Sequence, residues 1–363
     1  MVDPREGAPG ESVMEGAGYY SEHSDVQHSA AAPGYPMLER AASEVPLPSG
    51  APALIADMGC AGGRNELDPM HRAIDGVRAR DADVPIVVVH TDLPSNDWAS
   101  LFALVEESDD SYLTGQHNVY AYAAGRSLFG AVVPDRSMHL GWSGITVHWL
   151  STVPVVVRDT IYANLTTGDT RAALAEQSRL DWESFLRERA RELDDGGQVV
   201  VVGGASQDDG TSGAEGLFRI ADAQLRAMVA GGALRQSEYE HIYYPTWNRT
   251  RAEFLAPLAG DGEFANVFGV EEVVDDQTSD AWTYAQYERD RDAAGFAAAY
   301  VGFVRAITEP SFFRWLEPDR SADDRARITE AFYAGLQERI AADPEAAACH
   351  WCTVSLRIVR RAR

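Results

Sequence analysis

One stretch constrains the fold more than any other. Ala53, Leu54, Ile55, Ala56, Asp57 and Met58 form a short apolar run that passes directly into Gly59-Cys60-Ala61-Gly62-Gly63. Such a run predicts a parallel strand buried on both faces, ending in a glycine turn that opens a helix. A helix over residues 67–80 follows, then a second buried strand at 85–90 that leads into Thr91-Asp92-Leu93-Pro94. Further strands are expected at 137–142 and 198–202. A helix over 170–193 lies between them, capped by Asp169 and stopped by Gly196-Gly197. Strands alternating with helices predict an α/β fold, a mostly parallel sheet with helices on both faces.

From about Gly204 the pattern turns helical, at 216–230, 249–259, 295–307 and 322–342, with an aromatic loop from Tyr243 to Trp247. This part reads as a cap over the ligand edge of the sheet. Residues 353–360 alternate polar and apolar with period 2, which predicts an edge strand with one solvated face. The expected organisation is a flexible leader at 1–13, a nucleoside-binding core at 14–203, a mostly helical cap with remaining core elements at 204–345, and a terminal edge strand at 346–363.

Open parallel sheets bind ligands at the carboxyl ends of their strands. Two such ends carry an acid here, Asp57 and Asp92. The glycines starting at Gly59 allow close backbone approach to a ligand, and an acid after the second strand suits two ribose hydroxyls. A dinucleotide fingerprint would be GxGxxG with an acid about 20 residues on. Here the glycines are spaced Gly59-x-x-Gly62-Gly63 and Asp92 lies 33 residues after Gly59. An acid before the first glycine also suits the cationic methionine portion of S-adenosylmethionine (SAM) better than a pyrophosphate. SAM is the expected cofactor, and an NAD-dependent oxidoreductase is the rival.

Composition removes other classes. The net charge is −25, which repels phosphate backbones and argues against nucleic acid as a partner. All 31 basic residues are arginine, so lysine Schiff-base and P-loop chemistry are excluded. That bias, with abundant Ala, Asp and Val, points to a GC-rich genome of actinobacterial type. No apolar run of about 18 residues occurs, so membrane insertion is not expected. Three cysteines and no secretory start point to the cytoplasm. Cys349 and Cys352 have CxxC spacing but no further ligands nearby, and the histidines are scattered, so no metal is expected.

Four ordered segments then resemble the SABATH methyltransferases. Tyr19-Tyr20-Ser21-Glu22-His23-Ser24-Asp25-Val26-Gln27 is similar to S-Y-A-x-N-S-x-x-Q. The stretch from Ile55 to Asn65 resembles I-A-D-L-G-C-S-S-G-P-N, and Asp92-Leu93-Pro94-Ser95-Asn96-Asp97-Trp98 resembles D-L-P-G-N-D-F. Residues 125–154 resemble G-S-F-Y-G-R-L-F-P…S-S-Y-S-L-H-W-L-S-x-V-P. The resemblance implies a class I methyltransferase, with a Rossmann-like sheet and a helical cap over the acceptor site. It implies donor contacts at Ser24, Asp57, Gly59, Asn65, Asp92, Leu93, Ser127 and Leu128, and a homodimer.

On the acceptor side it implies that Gln27 and Trp149 position a carboxylate, with His148 beside them. Ile145, Tyr243 and Trp247 complete the expected pocket. A carboxylate is already ionised at neutral pH and needs no general base, only placement in a dry site. An amide and an indole N–H supply that placement. Where the family has S-S-Y-S-L-H-W, this chain has Ser143-Gly144-Ile145-Thr146-Val147-His148-Trp149. The aliphatic change points to a small apolar acid, namely a medium-chain fatty acid as in the bacterial, mycobacterial-type branch of the family. Aromatic acids of the salicylate type and nitrogen heterocycles are the alternatives.

Overall fold

The computed structural model describes residues 8–9, 14, 19, 23–279 and 283–362. Eight strands form the main sheet: β1 (Ala53–Met58), β2 (Ile86–Asp92), β3 (Val119–Gly125), β4 (Met138–Gly144), β5 (Leu193–Ser206), β6 (Arg249–Thr250), β7 (Phe268–Ser279) and β8 (His350–Arg360). Their order is β3-β2-β1-β4-β5-β8-β7, with β6 also beside β5. The pairs from β3 to β5 are parallel, and β8 runs antiparallel to both neighbours. The crossing point of the strand order, between β1 and β4, is where such sheets bind ligands.

The expected α/β sheet is therefore present, with helices where they are expected over 67–80 and 170–193 and others besides. α1 (Asp25–Ala31), α2 (Tyr35–Glu44), α3 (Leu67–Arg78) and α4 (Trp98–Glu107) precede β3. α5 (Gly168–Glu192) leads into β5. Leu38, Ala41, Met70, Ile74 and Leu101 from α2–α4 pack on one sheet face with Ile55, Val88 and Trp142. Trp182, Phe185 and Leu186 of α5 pack on the other face. α6 (Glu215–Ala230), α7 (Ala293–Phe312) and α8 (Ala322–Ala342) share a separate apolar cluster around Phe218, Tyr300, Phe332 and Leu336. No helix among the described residues is long and apolar enough to cross a membrane.

Two expectations are corrected. The terminal strand is not an edge: β8 sits between β5 and β7, with residues 352–358 all buried. Its polar face is covered rather than solvated. Arg357 donates to Glu44 at the end of α2 and to Gln198 of β5, and the chain edge is instead β7, which the sequence pattern did not mark. The helix expected over 249–259 opens with β6 and breaks into a short helix, Arg251–Leu255, and a 3-10 turn, Ala256–Leu258. Most of the leader at 1–13 lies outside the described residues, but Ala8–Pro9 pairs antiparallel with Thr152–Val153.

Candidate functional site

The glycine turn after β1 is forced by space as well as by backbone angle. Gly59 has φ +95°, and a Cβ there would lie 2.4 Å from Thr146. Both facts exclude a side chain. The turn lines a cavity together with Asn65, Glu66, Asp92, Leu93, Ser127 and Leu128. Asp92 is fixed by two backbone donors: Leu93 N to Oδ1 at 2.7 Å and Ala61 N to Oδ2 at 2.8 Å. Each oxygen keeps a lone pair for a further donor.

Beneath the turn lies a buried acid network. Asp57 Oδ2 is 2.6 Å from His90 Nδ1, and His90 Nε2 is 2.7 Å from the Tyr112 hydroxyl. Trp142 Nε1 donates to Glu66 at 2.9 Å. Burial pushes the Asp57 carboxyl up to about 8, and burial together with the neighbouring Asp57 charge also raises Glu66. Burial lowers His90 to about 4, so the ring is neutral. None of the described residues lining this cavity is basic. The acids therefore have no cation of their own, a setting that fits a positively charged ligand and disfavours a pyrophosphate.

Asp57 and Ser24 stand one layer behind the cavity wall. Ser24 Oγ donates to Asn65 Oδ1 at 3.2 Å, and Asn65 reaches the cavity. Glu66 lines the cavity but was not singled out in the sequence. Its place directly after Asn65 was the available signal. Asp57, Cys60 and His90 also gather closely enough to suggest a metal site. His90 Nδ1 is there engaged by Asp57, and burial plus the charge of Asp92 holds the Cys60 thiol well above its usual range.

The loop carrying Ser127 and Leu128 is tied down from below. Arg189 of α5 is fully buried and pairs with Glu192 at 2.6 Å. It donates to Leu128 O and Gly130 O, each at 2.9 Å. Glu192 in turn accepts from Val132 N and Val133 N.

A second cavity adjoins the first. Met14, Gln27, Ile145 and Trp149 line both, and form the neck between them. Beyond the neck the walls are Val26, Ala30, Tyr244, Phe303 and Ile307, with His148, Asn248 and Thr353. No charged residue is among its described lining. Gln27 is notable at the neck: both atoms of its amide are buried without a hydrogen-bond partner. Ile145 holds φ +53°, a left-handed value costing roughly 1–2 kcal/mol in a side-chain-bearing residue.

The expected lining by Tyr243 and Trp247 is not found. Side chains of an extended segment alternate in direction. Tyr244 and Asn248 face the cavity, whereas Tyr243 and Trp247 pack on the opposite side with Leu150, Val157 and Leu174. The wall residues from α7 and β8 lie far along the chain from the motifs and carried no local signal.

His148 has a defined protonation state. It is buried, and burial with the nearby Arg249 charge lowers it to about 3. Its Nδ1 accepts from Gly204 N at 3.3 Å, so the single ring proton is on Nε2. Arg249 itself is fully buried and donates to Val147 O and Ser178 O, both at 2.6 Å, which anchors the 147–149 segment.

Residues 12–341 match the family described as SAM dependent carboxyl methyltransferase. Methyltransferase FUS9 of Gibberella moniliformis is 28% identical over 270 residues, covering 72% of this chain and 71% of that protein. Anthranilate O-methyltransferase 3 of Zea mays is 28% identical over 273 residues, covering 68% and 71%. Among solved structures, loganic acid methyltransferase with SAH superposes with TM-score 0.74 at 19% identity, covering 97% of this chain and 99% of that one.

Proposed function

Because this chain belongs to the SAM-dependent carboxyl methyltransferases, we propose that it forms the methyl ester of a medium-chain aliphatic acid. SAM, when bound, supplies an electrophilic methyl group on a cationic sulfur. Asp92 would hold its ribose hydroxyls, Asn65 and the acids beneath the turn its methionine end, and Leu93, Ser127 and Leu128 its adenine. The neck carries the reading of the acceptor side. A group passing between two cavities lined by the same Gln27 and Trp149 meets an amide N–H and an indole N–H, which are donors suited to carboxylate oxygens. Neutral donors suffice because the acid arrives ionised. The uncharged, largely apolar cavity beyond the neck supports an alkyl chain as the remainder. The three cysteines are buried and in no disulfide, in keeping with the cytoplasm.

The test is kcat/KM for octanoate, laurate, benzoate and salicylate on the wild type and on Ile145→Tyr. Each methylene leaving water contributes about 0.8 kcal/mol, roughly a fourfold gain per carbon until the cavity is full. The aliphatic acids lead on the wild type, and Ile145→Tyr shifts preference to shorter chains or aromatic acids. A lead by benzoate or salicylate on the wild type would remove the aliphatic assignment and leave carboxyl methylation in place.

The site predicts an unusual pH behaviour. His148 carries its proton on Nε2 and cannot accept another there, so it does not act as a general base. With both substrates saturating, kcat is nearly flat from about pH 6.5 to 9, and His148→Gln retains substantial turnover. Donor binding behaves differently. Asp57 is neutral below about 8 and anionic above, so the KM for the cationic donor falls as pH rises through that value. At Asp57 the folded state holds a proton that the unfolded chain releases between 3.8 and about 8, so the contribution of this group to stability falls as pH rises across that interval. A bell-shaped kcat profile that disappears in His148→Gln would overturn the mechanism. A pH-independent donor KM would overturn the role of the acid network.

A further inference from the structure

The acceptor cavity contains polar groups that a carboxylate at the neck does not engage. His148, Asn248, Thr353 and Trp351 line this cavity and not the donor cavity.

The orientation of Asn248 follows from a chain of donors. Ser212 Oγ donates to Glu215 at 2.7 Å, so it accepts from the Tyr162 hydroxyl at 2.7 Å. The Tyr162 oxygen is then left to accept from Asn248 Nδ2 at 2.6 Å. The other Nδ2 hydrogen goes to Asn164 Oδ1 at 3.0 Å. Both amide hydrogens are spent, and Oδ1 is an acceptor.

The Asn248 and His148 side chains converge over Gly204. A Cβ on that glycine would lie 2.7 Å from Asn248 Oδ1 and 3.1 Å from His148 Nδ1. His148 offers its Nε2–H as a donor. Thr353 is 2% exposed, and its hydroxyl has no hydrogen-bond partner, nor has the buried Trp351 indole N–H. A fixed acceptor, a fixed donor and an unpartnered hydroxyl together match a group that both donates and accepts. A keto or ether oxygen leaves Asn248 Oδ1 without a donor, and a second carboxylate would oppose it.

We propose that the acceptor acid carries a hydroxyl on its aliphatic chain, donated to Asn248 Oδ1 and accepting from His148 and Thr353. This rests on the aliphatic carboxylate reading. The experiment compares kcat/KM for octanoate with that for each of its monohydroxylated isomers. One positional isomer, as one enantiomer, should exceed octanoate by about tenfold or more, because a site built for a hydroxyl penalises its loss. Thr353→Val, close to isosteric, should bring that ratio near one, and Thr353→Ser should restore it.

If octanoate is methylated and no isomer exceeds it by about threefold, the hydroxyl subsite is wrong and the aliphatic reading stands. A preference that survives Thr353→Val intact overturns the assignment to these residues. If neither octanoate nor any hydroxylated isomer is methylated, the aliphatic reading fails and the subsite with it.

Discussion

Replacing Gln27 with leucine and Trp149 with phenylalanine together lowers kcat/KM for the acceptor acid by about two to four orders of magnitude. A hydrogen bond to a charged group contributes about 1.5–3 kcal/mol, and two are lost, with each 1.36 kcal/mol worth a factor of ten. Phenylalanine keeps most of the ring that fills the neck, so the effect reports the indole N–H rather than packing. Gln27 gives the variant a second signature. Its amide is buried with neither atom partnered, and such an orphan costs about 1–3 kcal/mol. Gln27→Leu should therefore raise the midpoint of urea unfolding while it lowers activity. Activity within about threefold of wild type for the double variant would show that the carboxylate is held elsewhere. An unchanged or lowered unfolding midpoint for Gln27→Leu would show that its amide is satisfied in the free protein.

Glu192→Ala should lose about 3–5 kcal/mol of folding free energy, the cost of leaving a buried ion without its partner. Arg189 and Glu192 are both 0% exposed, so water cannot replace the lost carboxylate. Two backbone donors, Val132 N and Val133 N, are orphaned at the same time. The damage reaches function because the Arg189 guanidinium also holds the carbonyls of Leu128 and Gly130. The donor KM should rise more than the acceptor KM. Equilibrium urea unfolding reads the first effect and steady-state kinetics the second. A stability loss under about 1 kcal/mol would mean that the pair behaves as a surface ion pair.

The parts of the fold visible in the sequence are those with strong local patterns. β1 and β2 are largely apolar runs with glycine or proline punctuation, and the helix expected over 322–342 is found at Ala322–Ala342, with Ser321 capping its start. β3 and β7 were missed because both are sheet edges. β3 exposes Tyr120 and Tyr122, and β7 carries the acidic run around Asp275 and Asp276, so neither looks like a buried strand. β8 looked like an edge because its polar residues could be assigned only to solvent. The real partners of Arg357, Glu44 and Gln198, come from a helix and a strand far away in the chain.

The same limit applied to the site. Gly59, Asn65, Asp92, Gln27 and Trp149 lie in short motifs, and all five line the two cavities. Tyr244 was confused with Tyr243 because the direction of alternate side chains cannot be set without the backbone. Glu66 reads as an ordinary helix-start acid until Trp142, from β4, is seen to donate to it.

The position of β8 has a kinetic consequence. Among the described residues β7 joins the sheet only through β8, and β8 pairs with β5 across a sequence gap of about 150 residues. The antiparallel third of the sheet cannot form from neighbouring segments. Long-range pairing of this kind must meet the entropy of loop closure before it gains any contact, which slows folding. Until residues 350–360 dock, β5 and β7 each present an unpaired row of amides, the template from which chains aggregate. The strand that completes the wall of the acceptor cavity at Thr353 is thus also the one on which escape from aggregation depends, and the yield of native protein should be governed by how quickly it finds its slot.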